Sequence, residues 1–266
     1  MLALFLLACS CPPPSDWQVL APGLELATLD LPQRSTHGDS RLTVARIDPT
    51  RLDIALRMES RDGPGRTLAQ WAETIPPDKA VVAINASMFQ EDYRTSVGLL
   101  IDNDHVNHDG LAAEHNSLLA AKPHDPADKP VWLANLGCDP VDEVRAKYAL
   151  LVQSIRMLGC DGENVWTQQP DKRWSASIIG QDGAGRLLLM HVRSPYTMHD
   201  LVEMLRGVPL DLVALHYGDG GPPAGLFVRA PGTVVERLGS FETGIQEDDA
   251  NTSAWALPNV LLAVSR

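Results

Sequence analysis

The stretch Leu210 to Val228, LDLVALHYGDGGPPAGLFV, sets one carboxylate, Asp219, between two apolar runs. Runs rich in Leu and Val are the pattern of buried strands, and Gly218, Gly220, Gly221, Pro222 and Pro223 interrupt them sharply. Glycine permits positive φ and a close approach of ligand to backbone, while proline removes an amide donor and stiffens the exit. An aspartate on such a corner is either a turn former or a group that faces a ligand. Asn85 and Ser87 stand where another apolar strand, Ala80 to Ile84, empties into Asn85-Ala86-Ser87-Met88-Phe89, again a turn or a ligand-facing end. Arg156 lies in the apolar segment Tyr148 to Leu158, where a buried guanidinium needs an acidic partner or an anionic ligand. At period two, Ser154 and Arg156 share one strand face, and His191 and Arg193 share another. Asp102 to Gly110 is dense in oxygen and imidazole groups. Its glycine falls at the ninth position and no terminal Glu follows, so it departs from the calcium-loop pattern and reads as a solvated hairpin, with a cation site as the alternative.

The elements that must position these groups follow from period and punctuation. Trp17 to Leu31 reads as one or two opening strands around Pro22-Gly23. Ser40 to Asp48 and Leu52 to Met58 carry apolar residues at period two and read as an antiparallel pair around Asp48-Pro49-Thr50. Thr67-Leu68-Ala69-Gln70 matches a capping box for a short helix to about Thr74. Strands follow at Ser96 to Asp102, Asn116 to Ala121 and Val131 to Asn135. Asp139-Pro140 then predicts an N-cap and first helical residue for a helix over Val141 to Ala149. Trp174 to Gln181 and Arg186 to Arg193 form a hairpin about Asp182-Gly183-Ala184-Gly185, and Thr197 caps a helix to Arg206 that leads into a central strand at Leu210. Thr233 to Arg266 contains Glu242 in a polar loop before a closing strand, Asn259 to Val264. The expected fold class is α+β, with mixed, largely antiparallel sheets and a few short helices in one domain over residues 17–266.

With 266 residues and 44% hydrophobic content the chain can bury a large core. Its net charge of −12 leaves no basic stripe, which excludes nucleic acid as a partner. Residues 1–8 are an apolar signal segment too short to span a bilayer. Leu6-Leu7-Ala8-Cys9 looks like a bacterial lipoprotein processing site, which implies a lipid on Cys9, a tether over residues 9–16, and a location at a bacterial membrane, the outer one expected, or in the periplasm. Export would let Cys138 and Cys160 pair; a disulfide and two buried thiols both remain open.

In order along the chain, Ala83-Ile84-Asn85, Val97-Gly98-Leu99, Val152-Gln153-Ser154, Ser177-Ile178-Ile179-Gly180 with Asp182 and Gly185-Arg186, a capped helix, and Asp219-Gly220-Gly221-Pro222 resemble the segments of the phosphodiester glycosidase domain family. Asn85 to Phe89, Gln153 to Leu158, Ser194-Pro195-Tyr196 and Gly239 to Gly244 resemble its bacterial lipoprotein branch. Three departures stand out: Ala86-Ser87-Met88-Phe89 where the family often has Gly-Gly-Phe-Phe, Ala176 in place of an arginine, and Pro223 in place of Ser or Thr. The resemblance implies hydrolysis of the glycosidic bond of a sugar-1-phosphodiester, releasing free sugar and a phosphomonoester; no metal and no cofactor is expected, with a cation-dependent hydrolase using Asp102 to Asp109 as a third possibility. In that chemistry a carboxylate steadies an oxocarbenium-like transition state or activates water, and cationic donors receive the phosphate. Asp219 is then nucleophile or base, Asn85 a sugar or phosphate ligand, and Glu242 the second carboxylate. Arg156 with His191 or Arg193 forms the anion site, and Gln153, Gly220 and Gly221 add substrate contacts. The rival reading is a surface lipoprotein that binds glycans on this fold without cleaving them.

Overall fold

The computed structural model describes residues 17–266, so the expected signal segment and tether, with Cys9, lie outside the described residues. In chain order the strands are β1 (Gln18–Ala21), β2 (Leu24–Asp30), β3 (Arg41–Ile47), β4 (Leu52–Met58), β5 (Val81–Asn85), β6 (Leu100–Asp102), β7 (His105–His108) and β8 (Ser117–Pro123). They continue with β9 (Val131–Asn135), β10 (Tyr148–Ser154), β11 (Trp174–Asp182), β12 (Leu187–Tyr196), β13 (Leu212–Gly220), β14 (Gly225–Ala230), β15 (Thr233–Leu238) and β16 (Asn259–Ser265). Four short helices intervene: α1 (Glu59–Asp62), α2 (Leu68–Ala72), α3 (Val141–Lys147) and α4 (Met198–Gly207).

These strands make three sheets, ordered β1-β2-β3-β12-β11-β13, β7-β6-β10-β8-β9 and β15-β14-β5-β16-β4. The fold is α+β, and the pairings within each sheet are antiparallel. Each sheet turns one face into a shared core. Ile47 and Leu189 of the first sheet meet Leu119 and Val152 of the second and Ile84 and Leu261 of the third. Strict alternation divides β5 between two layers: Val82 and Ile84 point into the shared core, whereas Val81 and Ala83 pack with Trp71 of α2 on the outer side. In the same way α4 covers the first sheet with Leu201, Val202 and Leu205, and α3 sets Val144 against Leu118 and Leu151 of the second.

Local signals held where the chemistry is local. Thr67 and Gln70 form the reciprocal capping box, and the Thr197 hydroxyl accepts from the Asp200 amide. Cys138 and Cys160 are joined in a disulfide, which settles the open alternative.

Three expectations need correction. β3 and β4 are not a hairpin: β3 pairs with β2 and β12, and β4 pairs with β16, so the Asp48 turn carries the chain between sheets. Period two reports which face is buried and is silent on the partner strand. β13 is an edge strand of the first sheet, not a central one, and its exit at Gly220 also crosses between sheets, to β14. Asp139 does not cap α3. Its carboxylate accepts from the Asn135 amide at 2.8 Å, Pro140 is the N-cap without a side-chain bond, and the helix ends at Lys147.

Candidate active site

Because β13 and β14 lie in different sheets, the Gly218 to Pro223 corner spans the seam between them, and the end of β5 meets it from the third sheet. Asp219 is only 9% exposed. One carboxylate oxygen accepts from its neighbour's amide, Gly220 N, at 2.9 Å, and the other from Asn85 Nδ2 at 3.2 Å. Neither donor is charged. Burial therefore dominates and pushes the Asp219 carboxyl up to about 7; the Glu242 charge adds to the rise, while Gly220 N and Asn85 oppose it. Register between β11 and β13 slips by one residue at Gly218, since Ser177 faces Asp219 and Ile178 faces Tyr217. A slip of this kind re-aims the side chain beyond it.

Asn85 is spent on positioning. Its amide nitrogen donates to Asp219 and to the Pro223 carbonyl at 3.1 Å, and its oxygen accepts from Gly225 N at 2.9 Å. One buried side chain thus ties the carboxylate to the sheet-crossing turn, which differs from the sugar or phosphate contact expected of it.

Glu242 arrives on the loop after β15. That loop is tied to the first sheet through Ser175, whose hydroxyl accepts from Ser240 N and Phe241 N at 2.9 and 3.2 Å. Arg193 completes the tie: its guanidinium donates to the Leu238, Asp249 and Asn251 carbonyls and to the Asp249 carboxylate at 2.6 Å. Burial raises the Glu242 carboxyl above its usual range. The two glycines make room for this assembly. A Cβ on Gly220 would collide with the Tyr217 hydroxyl and the Trp174 indole; one on Gly221, whose φ is +67°, would collide with the Glu242 carboxylate.

The result is a cleft of about 700 Å³ with Asp219 and Glu242 both in its wall. Trp174, Tyr217, Met88 and Phe89 enclose the carboxylates, and Lys172 is the cation among the described lining residues. The Tyr217 hydroxyl is held protonated well past its ordinary range, by burial first and by Asp219 next. So placed, two carboxylates, one cation and an aromatic wall can move a proton, hold positive charge at carbon and receive an anionic leaving group.

Asp219, Glu242 and Gly220 line this cleft as the sequence led us to expect, with Asn85 and Gly221 directly behind them. Four expected ligands do not line it. Arg156 donates to Asn135 Oδ1 at 2.6 Å and packs over Gly137. Gln153 uses both ends on backbone, accepting from Leu99 N and Ala112 N and donating to the Ala112 and His115 carbonyls. His191 is buried, and that burial with Arg237 and Arg193 nearby keeps it neutral, its pKa pushed down to about 3. Arg193 holds the Glu242 loop as described. Arg156, Gln153 and Arg193 thus found protein partners rather than a ligand, whereas His191 Nε2 is buried without a hydrogen-bond partner among the described residues. Lys172, Trp174 and Tyr217 were missed, although Tyr217 precedes Asp219 by two positions on one strand, a spacing that signals a shared face.

Comparison with known proteins agrees with this architecture. The catalytic domain of zebrafish N-acetylglucosamine-1-phosphodiester alpha-N-acetylglucosaminidase, solved in a form auto-inhibited by its pro-peptide, superposes with a TM-score of 0.58 at 15% identity. The match covers 92% of this chain and 84% of that one. A hypothetical protein from Synechocystis gives a TM-score of 0.62 at 11% identity over 96% of this chain and 64% of that one. At these identities the likeness is one of fold. No curated protein matches the chain in sequence. The family is defined by sequence pattern instead: residues 78–264 match the phosphodiester glycosidase family, and the chain belongs to it.

Proposed function

We propose that this protein hydrolyses the glycosidic bond of a sugar-1-phosphodiester, releasing free sugar and a phosphomonoester. The observation that carries the reading is a buried, cation-free carboxylate, Asp219, with a pKa of about 7, set beside a second carboxylate in the wall of one cleft. Asp219, ionised above pH 7, takes a proton from water as that water attacks the anomeric carbon. The bond from that carbon to the phosphate oxygen breaks, and its electron pair leaves with the phosphate toward Lys172. Glu242, on the polar loop, stabilises the positive charge that develops on the sugar. Phosphate leaves without a strong acid, so the site needs one good base more than an acid and base matched in strength. We further propose that the protein is exported and anchored by a lipid on Cys9. The Cys138–Cys160 disulfide supports export, since such bonds persist in oxidising compartments.

The test is hydrolysis of the methyl diester of N-acetylglucosamine 1-phosphate in ¹⁸O-water. Cleavage at the anomeric carbon leaves the label in the sugar, and the Asp219→Asn variant leaves none. Label in the phosphate would mean attack at phosphorus and would overturn the assignment. Tight binding with no free sugar would favour the non-cleaving glycan-binding alternative.

A further inference from the structure

The cleft is larger and greasier at its mouth than a sugar phosphate requires. Beyond Trp174 and Tyr217 it opens onto Tyr93, Ile245 and Trp255, which are 62%, 71% and 42% exposed. Nine large hydrophobic residues are exposed among the described ones, and the two aromatic members of that set are both here. Tyr93 is not loose decoration: its ring packs on Phe89 with centroids 5.5 Å apart, and Phe89 is itself part of the cleft wall. Trp255 continues the apolar surface toward Pro222 and Pro223. A patch of this kind joined to a polar, reactive floor marks a ligand-binding surface.

Charge selects what kind of ligand. Among the described lining residues, Asp219, Glu242 and Glu91 stand against Lys172 alone. One cation matches one phosphodiester charge, and a second phosphate would lie among carboxylates. We propose that the mouth of the cleft seats an uncharged, apolar substituent on the substrate's phosphate, so that the substrates are sugar 1-phosphodiesters of alkyl or aryl alcohols rather than of a second sugar or a nucleotide. This rests on the phosphodiester reading above and adds the substituent to it. The reacting sugar sits between Trp174, Tyr217 and the two carboxylates, the phosphate lies at Lys172, and the substituent leaves along Phe89, Tyr93 and Trp255.

The experiment compares methyl, hexyl and decyl diesters of N-acetylglucosamine 1-phosphate with the uridine diphosphate ester of the same sugar. Each methylene withdrawn from water should gain roughly twofold to fourfold, so kcat/KM for the hexyl ester should exceed that for the methyl ester by about 30-fold or more. Tyr93→Ser with Ile245→Ser, both exposed positions, should flatten that ratio to within about threefold while the melting temperature holds. Calorimetry on Asp219→Asn protein with the same esters reads the seat independently of turnover. Chain-length-dependent binding without any sugar release would keep the seat and defeat the hydrolytic reading. Hydrolysis with a flat series, a ratio unmoved by the double variant, or preference for the nucleotide ester would overturn the seat and leave hydrolysis standing.

Discussion

Asp102 and Asp219 are both buried at or next to the end of a strand, and their surroundings differ. Asp102, at the end of β6, is 3% exposed, less than Asp219, yet Arg61 reaches it at 2.9 Å and Lys122 at 2.5 Å. Asp219 receives two neutral N–H donors, and the Glu242 charge adds to the rise of its pKa. Burial depth therefore does not separate a structural carboxylate from a reactive one; the charge of its partners does. Asp102 is bridged by two cations, Arg61 and Lys122, in a structural ion-pair cluster. Asp219 is left able to exchange a proton near neutrality, a state that costs stability and is kept where chemistry needs it.

Substituting each aspartate by its amide should break the comparison most visibly. Asp219→Asn is expected to lower kcat by about 10³-fold, as loss of a general base does. The same change should stabilise the fold at pH 8. A carboxyl with a folded pKa of about 7 binds its proton more tightly in the native state, so its contribution to stability declines as pH rises from the ordinary carboxylate range through 7. Removing it recovers up to about 4 kcal/mol at pH 8, and the gain should fade toward pH 4 in urea titrations. Asp102→Asn should do the reverse, sparing kcat while costing about 2 kcal/mol, because Arg61 and Lys122 lose their shared counter-charge while remaining partly in water.

The second test shifts the proton rather than deleting it. Wild-type kcat/KM should fall about tenfold per pH unit below a bend near 7 as Asp219 is protonated. Glu242→Gln removes the charge that lifts Asp219, so the bend should move to lower pH while kcat drops about 10²-fold. Asn85→Ala removes a donor that opposes the rise, and its bend should move up with roughly tenfold lower kcat. A bend unmoved in both variants would mean that another group titrates. The smallest effect falls at Arg193. Lysine keeps its charge but cannot span three carbonyls and a carboxylate, so Arg193→Lys should reduce kcat only a few-fold, about 1 kcal/mol, with little change in KM.

Much of the scaffold was legible residue by residue. The Thr67 capping box, the Asp182 hairpin between β11 and β12 and the α4 cap at Thr197 are dictated by contacts within a few positions, the strands at Ala80 and Asn259 were legible as apolar runs although their partners are distant in sequence, and each formed where expected. The Asp48 and Gly218 corners were recognised as turns, but the Asp48 turn was misjudged as a local pairing and β13 as a central strand, because a turn motif is the same whether the next strand returns to its neighbour or crosses to another sheet. Arg156, His191 and Gln153 misled for a related reason. A polar residue in an apolar strand announces that it needs a partner, and the partners here are Asn135 and backbone groups of distant loops for Arg156 and Gln153, with burial first and the Arg237 and Arg193 charges next keeping His191 neutral.

The amino-acid order by itself determined the candidate corner: Asp219 flanked by glycines and closed by prolines, Asn85 at a strand end, and the run of motifs that marks the family. Tertiary structure alone decided that the hydrogen-bond donors to Asp219 are neutral, that Asn85 grips the corner instead of a ligand, that Glu242 is brought beside it by Ser175 and Arg193, and that Lys172 and an aromatic mouth complete the cleft. Local order governs backbone conformation and burial face, which depend on near neighbours. A carboxylate's proton affinity depends on every charge and dipole packed around it, and those come from strands and loops far apart in the chain.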